Sequence, residues 1–445
     1  MYHKYVLVDA LQQSYSLDTI SSMSDSFHIQ GGNLLRGEIN VQGSKNAATK
    51  LIAATLLTNK KCKLTNIPQL KDVEVMLEIL KEMGSIVEYG KTKNTVYITN
   101  KDTDIEKLNF SKIKKLRSSI VFTGPLLARF GKVKMPYPGG DKIGKRSLDT
   151  HFHAFRDLGC KVIARDDSYT IIAPKEKNNT PKKIILDEFS VTATENAMMY
   201  AASLPIKVEI SIAAQEPHIQ NLAEFLRRMG AKVQMLFGHK IKIEGAKNLK
   251  GANIRVVDDY IEAGTFVIAG LVVGGDILIH NFPVNHLDLF LKKLKRAGAN
   301  IIIEGNKTVR VKTSRRFSYS KIQTMIYPGI PTDLQSPLGV LATQCEGKTL
   351  IHDPLYEGRL EYLKELQKMG ADITILDPHR AEVRGPSLLK GFEISGKDIR
   401  GGMSLIIAGL VAEGDTVLKN SYQVDRGYEK IDERLRVLGA KIRRV

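Results

Sequence analysis

Cysteine is scarce: Cys62, Cys160 and Cys345 are the three in 445 residues, and they stand far apart. Such spacing offers neither a disulfide framework nor a metal-ligand pattern. A reducing cytoplasm is the expected compartment, with no metal and no cofactor. Long apolar runs are also missing. The longest candidates, such as TFVIAGLVVGG at 265–275, fall short of the roughly 18 residues a membrane span requires. They read as buried helix followed by a turn. The opening stretch MYHKYVLVDALQQSYSLDTISSMSDSF lacks a long apolar core and a small-residue cleavage site, so no secretory leader is expected. Acidic residues are in deficit, 48 against 66 basic ones, for a net charge of +18. That field attracts anions, either nucleic acid or phosphorylated metabolites. No Arg/Gly-rich tract, aromatic-interleaved tract or familiar reader motif accompanies it, which weighs against nucleic acid. Most of the lysines read as solvated faces.

What the chain has is internal repetition. Six times an apolar residue, a glycine and a small residue stand between a helix pattern and a β-branched run. The copies are LKEMGSIVEY, FRDLGCKVIA, LRRMGAKVQM, LKRAGANIII, LQKMGADITI and LRVLGAKIRR, with glycines 84, 159, 230, 298, 370 and 439. The spacing is roughly 70 residues, longer than common solenoid periods. Glycine suits the left-handed position that closes a helix, and the following run suits a strand. A second unit interleaves: AATLLTNKKCKLTN, TGPLLARFGKVKMP, MMYAASLPIKVEIS, IAGLVVGGDILIHN, VLATQCEGKTLIHD and IAGLVAEGDTVLKN. Each is an apolar helix end, a short turn and an alternating strand. Helices apolar nearly all round belong in the interior, so an α/β fold with helices enclosed by sheets is predicted. The repeats divide three and three: 45–258 in one unit, 29–44 plus 259–445 in the other. A cleft between two such units is a natural ligand site. Residues 1–28 precede the first expected strand, within GNLLRGEINVQG, and read as a loosely ordered tail or a mis-assigned start before Met23.

The residues with chemical potential share one place in the repeat, the loop-to-helix junction. GSKNAA supplies Lys45 and Asn46. Its Gly-Ser turn either presents backbone N–H groups to an anion or merely has Ser44 cap the helix while Lys45 faces solvent. KLRSSI supplies Arg117, and KRSLDTH supplies Arg146, Ser147, Leu148, Asp149, Thr150 and His151. DEFSV gives Glu188, Phe189, Ser190 and Val191. IPTDLQSP places Asp333 between two prolines, as a site residue or a helix cap. PLYEGR gives Leu355 and Arg359, GKDIRGG gives Asp398 and Arg400, and YQVDRGYEKID gives Asp425 and Arg426. One arginine alone reads as a salt-bridge partner; several at equivalent positions suit a small polyanion, since guanidinium clamps carboxylate and phosphate. PGGDKIGKR, a glycine-rich loop at 138–146, places one acid, Asp141, among Lys142, Lys145 and Arg146.

Taken together, GSKNAA, LRSSI, GPLLARFG, PGGDKIGKRSLDTH, PTDLQ, DIRGGMSLIIAGLVAEG and DRGYEKIDERLRVLGAKI resemble the enolpyruvyl transferases, in particular the branch acting on UDP-N-acetylglucosamine. The resemblance runs from about residue 32 to the last. It implies two inside-out α/β barrel domains, each with three-fold repeats, and transfer of enolpyruvate from phosphoenolpyruvate to the sugar 3-hydroxyl at the start of peptidoglycan synthesis. By the same resemblance Lys45, Asn46, Arg146 and Arg426 match the phosphoenolpyruvate contacts, with Arg359, Asp398 and Arg400 nearby. Arg117, the run from Arg146 to Thr150, the run from Glu188 to Val191, Asp333 and Leu355 match the nucleotide-sugar contacts. The 138–146 loop matches a lid. Relatives usually carry a cysteine there as general acid, which fosfomycin alkylates; here Asp141 takes that place, with Lys45 as the alternative donor and Asp333 as the group assisting removal of the hydroxyl proton. Two positions depart from the family: Val121 stands where an aromatic is common, and Glu188 where a lysine is common. Two alternatives stay open, an enolpyruvyl transferase with another hydroxyl acceptor and a basic nucleic-acid binder on the same scaffold. The sequence does not fix the oligomeric state; a monomer is compatible with it.

Overall fold

A computed structural model describes residues 26–445 apart from 141–142, 145, 176–179 and 314–316. The lid acid Asp141 therefore lies outside the described residues. Among the described residues, six small sheets, five of four strands and one of three, wrap two separate cores. One core gathers apolar side chains from Ala47 to Val256, the other those of Phe27 to Val41 and Tyr260 to Ile442. This is the α/β architecture expected from the repeats, with the helices inside.

The interior helices are buried because most of their side chains are apolar. Every residue of helix Tyr260–Val273 is buried, and so is every residue of helix Gln335–Thr343. Helix Ile399–Val411 is buried through Leu410. Helices Lys45–Ala54 and Val191–Ala202 are buried from Ala47 and Ala193 onward. The outer helices are amphipathic instead, as in Asp288–Arg296, which buries Phe290, Leu291 and Leu294 beneath lysines and an arginine. Glycines 84, 159, 230, 298, 370 and 439 follow the outer helices with φ of 97°, 91°, 115°, 103°, 97° and 93°. These are left-handed conformations that a side chain disfavours.

The chain crosses between the cores twice, side by side. Ser44 N–H donates to the Val257 carbonyl at 2.7 Å, and Asp259 N–H donates to the Gln42 carbonyl at 2.8 Å. Strand Leu35–Asn40 pairs in parallel with Gly275–His280 of the second core. Strand Asn253–Arg255 pairs in parallel with Cys62–Thr65 of the first.

One expectation is corrected. Residues 26–28 are not tail: strand Ser26–Gln30 lies inside its sheet, antiparallel to both Asp415–Lys419 and Lys441–Arg444. Phe27 is 0% and Ile29 1% exposed, so two alternating side chains anchor a strand too short to stand out beside polar neighbours.

Candidate active site

Lys45 opens helix Lys45–Ala54, whose N-cap is Ser44; the Ser44 hydroxyl accepts from the Ala47 N–H at 3.4 Å. The Ser44 cap is present, but Lys45 does not face solvent. Its Nζ lies 3.4 Å from Asp72 Oδ2, and Arg426 Nε donates to Asp72 Oδ1 at 3.0 Å. All three side chains are nearly buried. Asp72 lies in the first turn of the helix Lys71–Glu82 of the first core, whereas Arg426 follows the short helix Tyr422–Asp425 of the second. A carboxylate shared by cations from both halves therefore spans the cleft. Asn46 sits beside Lys45 on the same helix.

Facing this group, Asp333 holds two guanidiniums. Arg359 Nη2 donates to Oδ1 at 2.5 Å and Arg400 Nε to Oδ2 at 3.1 Å. Asp333 belongs to the 3₁₀ turn Thr332–Leu334 and makes no capping bond to the following helix, so the helix-cap alternative is set aside. Burial alone would raise its carboxyl pKa, but the charges of Arg400, Arg359 and Lys45 outweigh burial and hold it well below the ordinary carboxylate range. Arg359 Nε also donates to Thr332 Oγ1 at 3.1 Å. Asp398 caps helix Ile399–Val411, accepting from the Arg400 and Gly401 N–H groups at 3.0 Å each, and lies 3.8 Å from Arg359 Nη1. Arg400 packs its guanidinium 5.2 Å from the Tyr428 ring centroid, and its buried Nη1 has no acceptor among the described residues. A buried guanidinium donor without an acceptor is costly unless an anion arrives.

A third group lies at the foot of the glycine-rich loop. Arg117 Nη2 donates to the Arg146 carbonyl at 2.7 Å. Burial, then the charge of Arg146, pushes Arg117 down to about 10. Two guanidiniums close enough to repel define a place where negative charge is favoured. Within that loop, Ile143 and Gly144 meet the second core: the Gly358 N–H donates to the Ile143 carbonyl at 2.9 Å, and a Cβ on Gly144 would overlap the Glu357 carboxylate.

Further along, Ser147 Oγ donates to Asp149 Oδ2 at 2.5 Å at the start of helix Asp149–Asp157. Thr150 Oγ1 donates to Glu188 Oε1 at 3.4 Å, so Glu188 is tied to that helix start. Phe189 is half exposed and meets His239 edge-on at 4.8 Å. Ser190 is the N-cap position of helix Val191–Ala202, though its hydroxyl makes no capping bond. Leu148 is buried, while Leu355 is partly exposed, its N–H donating to Asp353 Oδ1 at 3.0 Å. Three singled-out residues are structural. Asp425 forms a two-pronged pair with Arg444 at 2.7 Å twice. Burial, then Arg117, pushes His151 down to about 3, and its ring nitrogens engage Thr192 and Asn196. Val121 is wholly buried in the first core. Sequence reasoning missed Asp72, whose signal was an acid in the first turn of an otherwise apolar-faced helix.

With paired cations on both walls of a cleft, comparison with known proteins becomes informative. The model of the EPSP synthase family (3-phosphoshikimate 1-carboxyvinyltransferase) matches residues 29–435. The chain belongs to this family. UDP-N-acetylglucosamine 1-carboxyvinyltransferase of Treponema denticola is 40% identical over 427 residues, covering 93% of this chain and 98% of that protein. The protein of that name from Halothermothrix orenii is 41% identical, covering 94% and 99%. Among solved structures, the enolpyruvyl transferase NikO from Streptomyces tendae superposes with a TM-score of 0.85 at 21% identity, covering 95% and 99%. EPSP synthase from Acinetobacter baumannii gives 0.70 at 20%, covering 95% and 100%. These two structures speak for the fold.

Proposed function

We propose that this family member transfers the enolpyruvyl group of phosphoenolpyruvate to the 3-hydroxyl of UDP-N-acetylglucosamine and releases phosphate, the first committed step of peptidoglycan synthesis. One observation carries the reading: cations from both halves converge on one cleft, Lys45 and Arg426 on Asp72, Arg359 and Arg400 on Asp333. Close relatives at this identity bear the name of that activity. The domain reading goes with it: 45–258 as one unit, and 29–44 plus 259–445 as the other, joined by the strand at 26–30, closing over the substrates.

In this mechanism Lys45, Asn46, Arg146 and Arg426 hold phosphoenolpyruvate, with Arg359 and Arg400 completing the anion clamp. Arg117, the run from Arg146 to Thr150, the run from Glu188 to Val191 and Leu355 hold the nucleotide sugar. Asp333 orients the 3-hydroxyl and assists loss of its proton as the oxygen bonds to the central carbon of phosphoenolpyruvate. The π electrons take a proton at the methylene carbon, from Asp141 or from Lys45. The tetrahedral intermediate then loses a proton from that carbon, and the C–O bond to phosphate breaks. Preorganised guanidiniums stabilise the charge that moves. Asp333 is compensated by two arginines before substrate enters, so arriving phosphate and carboxylate compete for those arginines and free the carboxylate for the hydroxyl. Phosphate release with UDP-N-acetylglucosamine as acceptor tests this. Release only with another hydroxyl compound favours the divergent acceptor, and release with none contradicts the reading. A cytoplasmic setting fits both substrates; among the described residues no helix is long and apolar enough to cross a membrane.

A further inference from the structure

Behind the Lys45 cradle sits a second set of ionisable groups that the mechanism above does not use. Lys50, Glu195 and His218 come from helices Lys45–Ala54, Val191–Ala202 and Pro217–Met229, and the last packs against both others. They are 5%, 0% and 4% exposed. Lys50 Nζ is 3.8 Å from Glu195 Oε2, and His218 Nε2 is 3.8 Å from Glu195 Oε1. Both gaps exceed a hydrogen bond. Both Glu195 oxygens and both His218 nitrogens lack a hydrogen-bond partner among the described residues. A buried ion pair kept for stability closes its gap and fills its lone pairs; this one does neither.

The trio is in electrical contact with the cleft. Lys45 on the same helix, Asp72 on helix Lys71–Glu82 and Asp333 across the cleft all act on Lys50. Glu216, at the head of helix Pro217–Met229, acts on Glu195, and Asp333 acts on His218. Burial pushes the Glu195 carboxyl up to about 8 against the pull of Lys50. Burial, then Lys50, pushes His218 down to about 3, which leaves it neutral. Burial also lowers Lys50. Glu195 is thus the member poised to change charge near neutral pH.

We propose that Glu195 stores a proton in answer to substrate charge: when a phosphate group settles on Lys45 and Arg426, Glu195 takes up a proton from solvent, and Lys50 becomes an uncompensated cation behind the cradle. A dianion within reach of a buried carboxylate raises that carboxylate's proton affinity. Protonation then directs the Lys50 charge at the substrate. By linkage, phosphate binds more tightly as pH falls through the titration of Glu195. This inference rests on Lys45 and Arg426 being the phosphate contacts.

Calorimetric titration of the full chain with inorganic phosphate at about pH 8, in two buffers of different ionisation enthalpy, counts the protons. Comparing wild type with Glu195→Gln cancels the ionisation of phosphate itself. Wild type should take up as much as about half a proton more than Glu195→Gln, since the group is near half-protonated there. Lys50→Met should also lose the excess, because without the cation Glu195 is already protonated, and its phosphate affinity should fall several-fold. Equal proton counts in wild type and Glu195→Gln, with Lys45→Ala still abolishing binding, overturn this inference alone. Phosphate binding indifferent to Lys45→Ala overturns both it and the site reading. Should Glu195→Gln fail to fold, Lys50→Met decides: an unchanged proton count there contradicts the storage role.

Discussion

Asp72 and Asp333 do the same work from opposite walls of the cleft, each as the counter-ion of two cations. They differ in what substrate does to them. Lys45→Ala or Arg426→Ala should weaken phosphoenolpyruvate binding far more than nucleotide-sugar binding, and calorimetry with each substrate checks this; equal loss of both contradicts the assignment. Asp333→Asn should lower kcat by about 100-fold or more, the scale of a lost acid–base group, while both substrates still bind. The same residue has a stability signature. Its folded pKa is depressed, so its contribution is present above the unfolded value of about 4 and is lost as pH falls further. The Tm gap between wild type and Asp333→Asn should therefore shrink below about pH 4. For Asp141, a carboxylate transfers protons but is a much weaker nucleophile than a thiolate. Wild type should turn over yet resist time-dependent inactivation by fosfomycin, and Asp141→Cys should gain a covalent adduct visible by mass spectrometry. The cations of the site were readable because each stands in a short motif at a helix junction. Asp72 was not, because its partner Arg426 lies 354 residues away. Glu195 was not, because a polar residue in a buried helix shows its isolation only once the helices are packed.

At the scale of elements, the repeats were legible and the first strand was not. The five interior helices described above announce themselves by mostly apolar surfaces, and six glycines mark where outer helices stop. Strand Ser26–Gln30 has just two inward apolar residues, and its partners lie near the other end of the chain. No local pattern carries such pairing. Phe27→Ala should cost about 3–5 kcal/mol, the usual loss for a buried phenylalanine, read as a lower midpoint in urea. The 138–146 loop makes a matching test on the functional side. Gly144 has φ of 150° and rests against Glu357, so Gly144→Ala should hinder docking of the loop and lower kcat with the fold intact by circular dichroism.

At the scale of the molecule, two cores joined by a double crossing leave a cleft whose walls carry like charge. Repulsion among these cations is relieved partly by Asp72 and Asp333, and on the proposed reading more fully by an anionic substrate. The net charge of +18 was legible as an attraction for anions, but which lysines and arginines mattered depended on how six distant junctions meet. The central claim is enolpyruvyl transfer to UDP-N-acetylglucosamine. Mass spectrometry of the nucleotide sugar, run together with a phosphate assay after incubation of the protein with phosphoenolpyruvate, tests it most directly. The account predicts a UDP-N-acetylglucosamine adduct bearing one enolpyruvyl group, formed in step with one phosphate released and lost in Asp333→Asn. Unmodified UDP-N-acetylglucosamine and no phosphate, from folded wild-type protein, would contradict it.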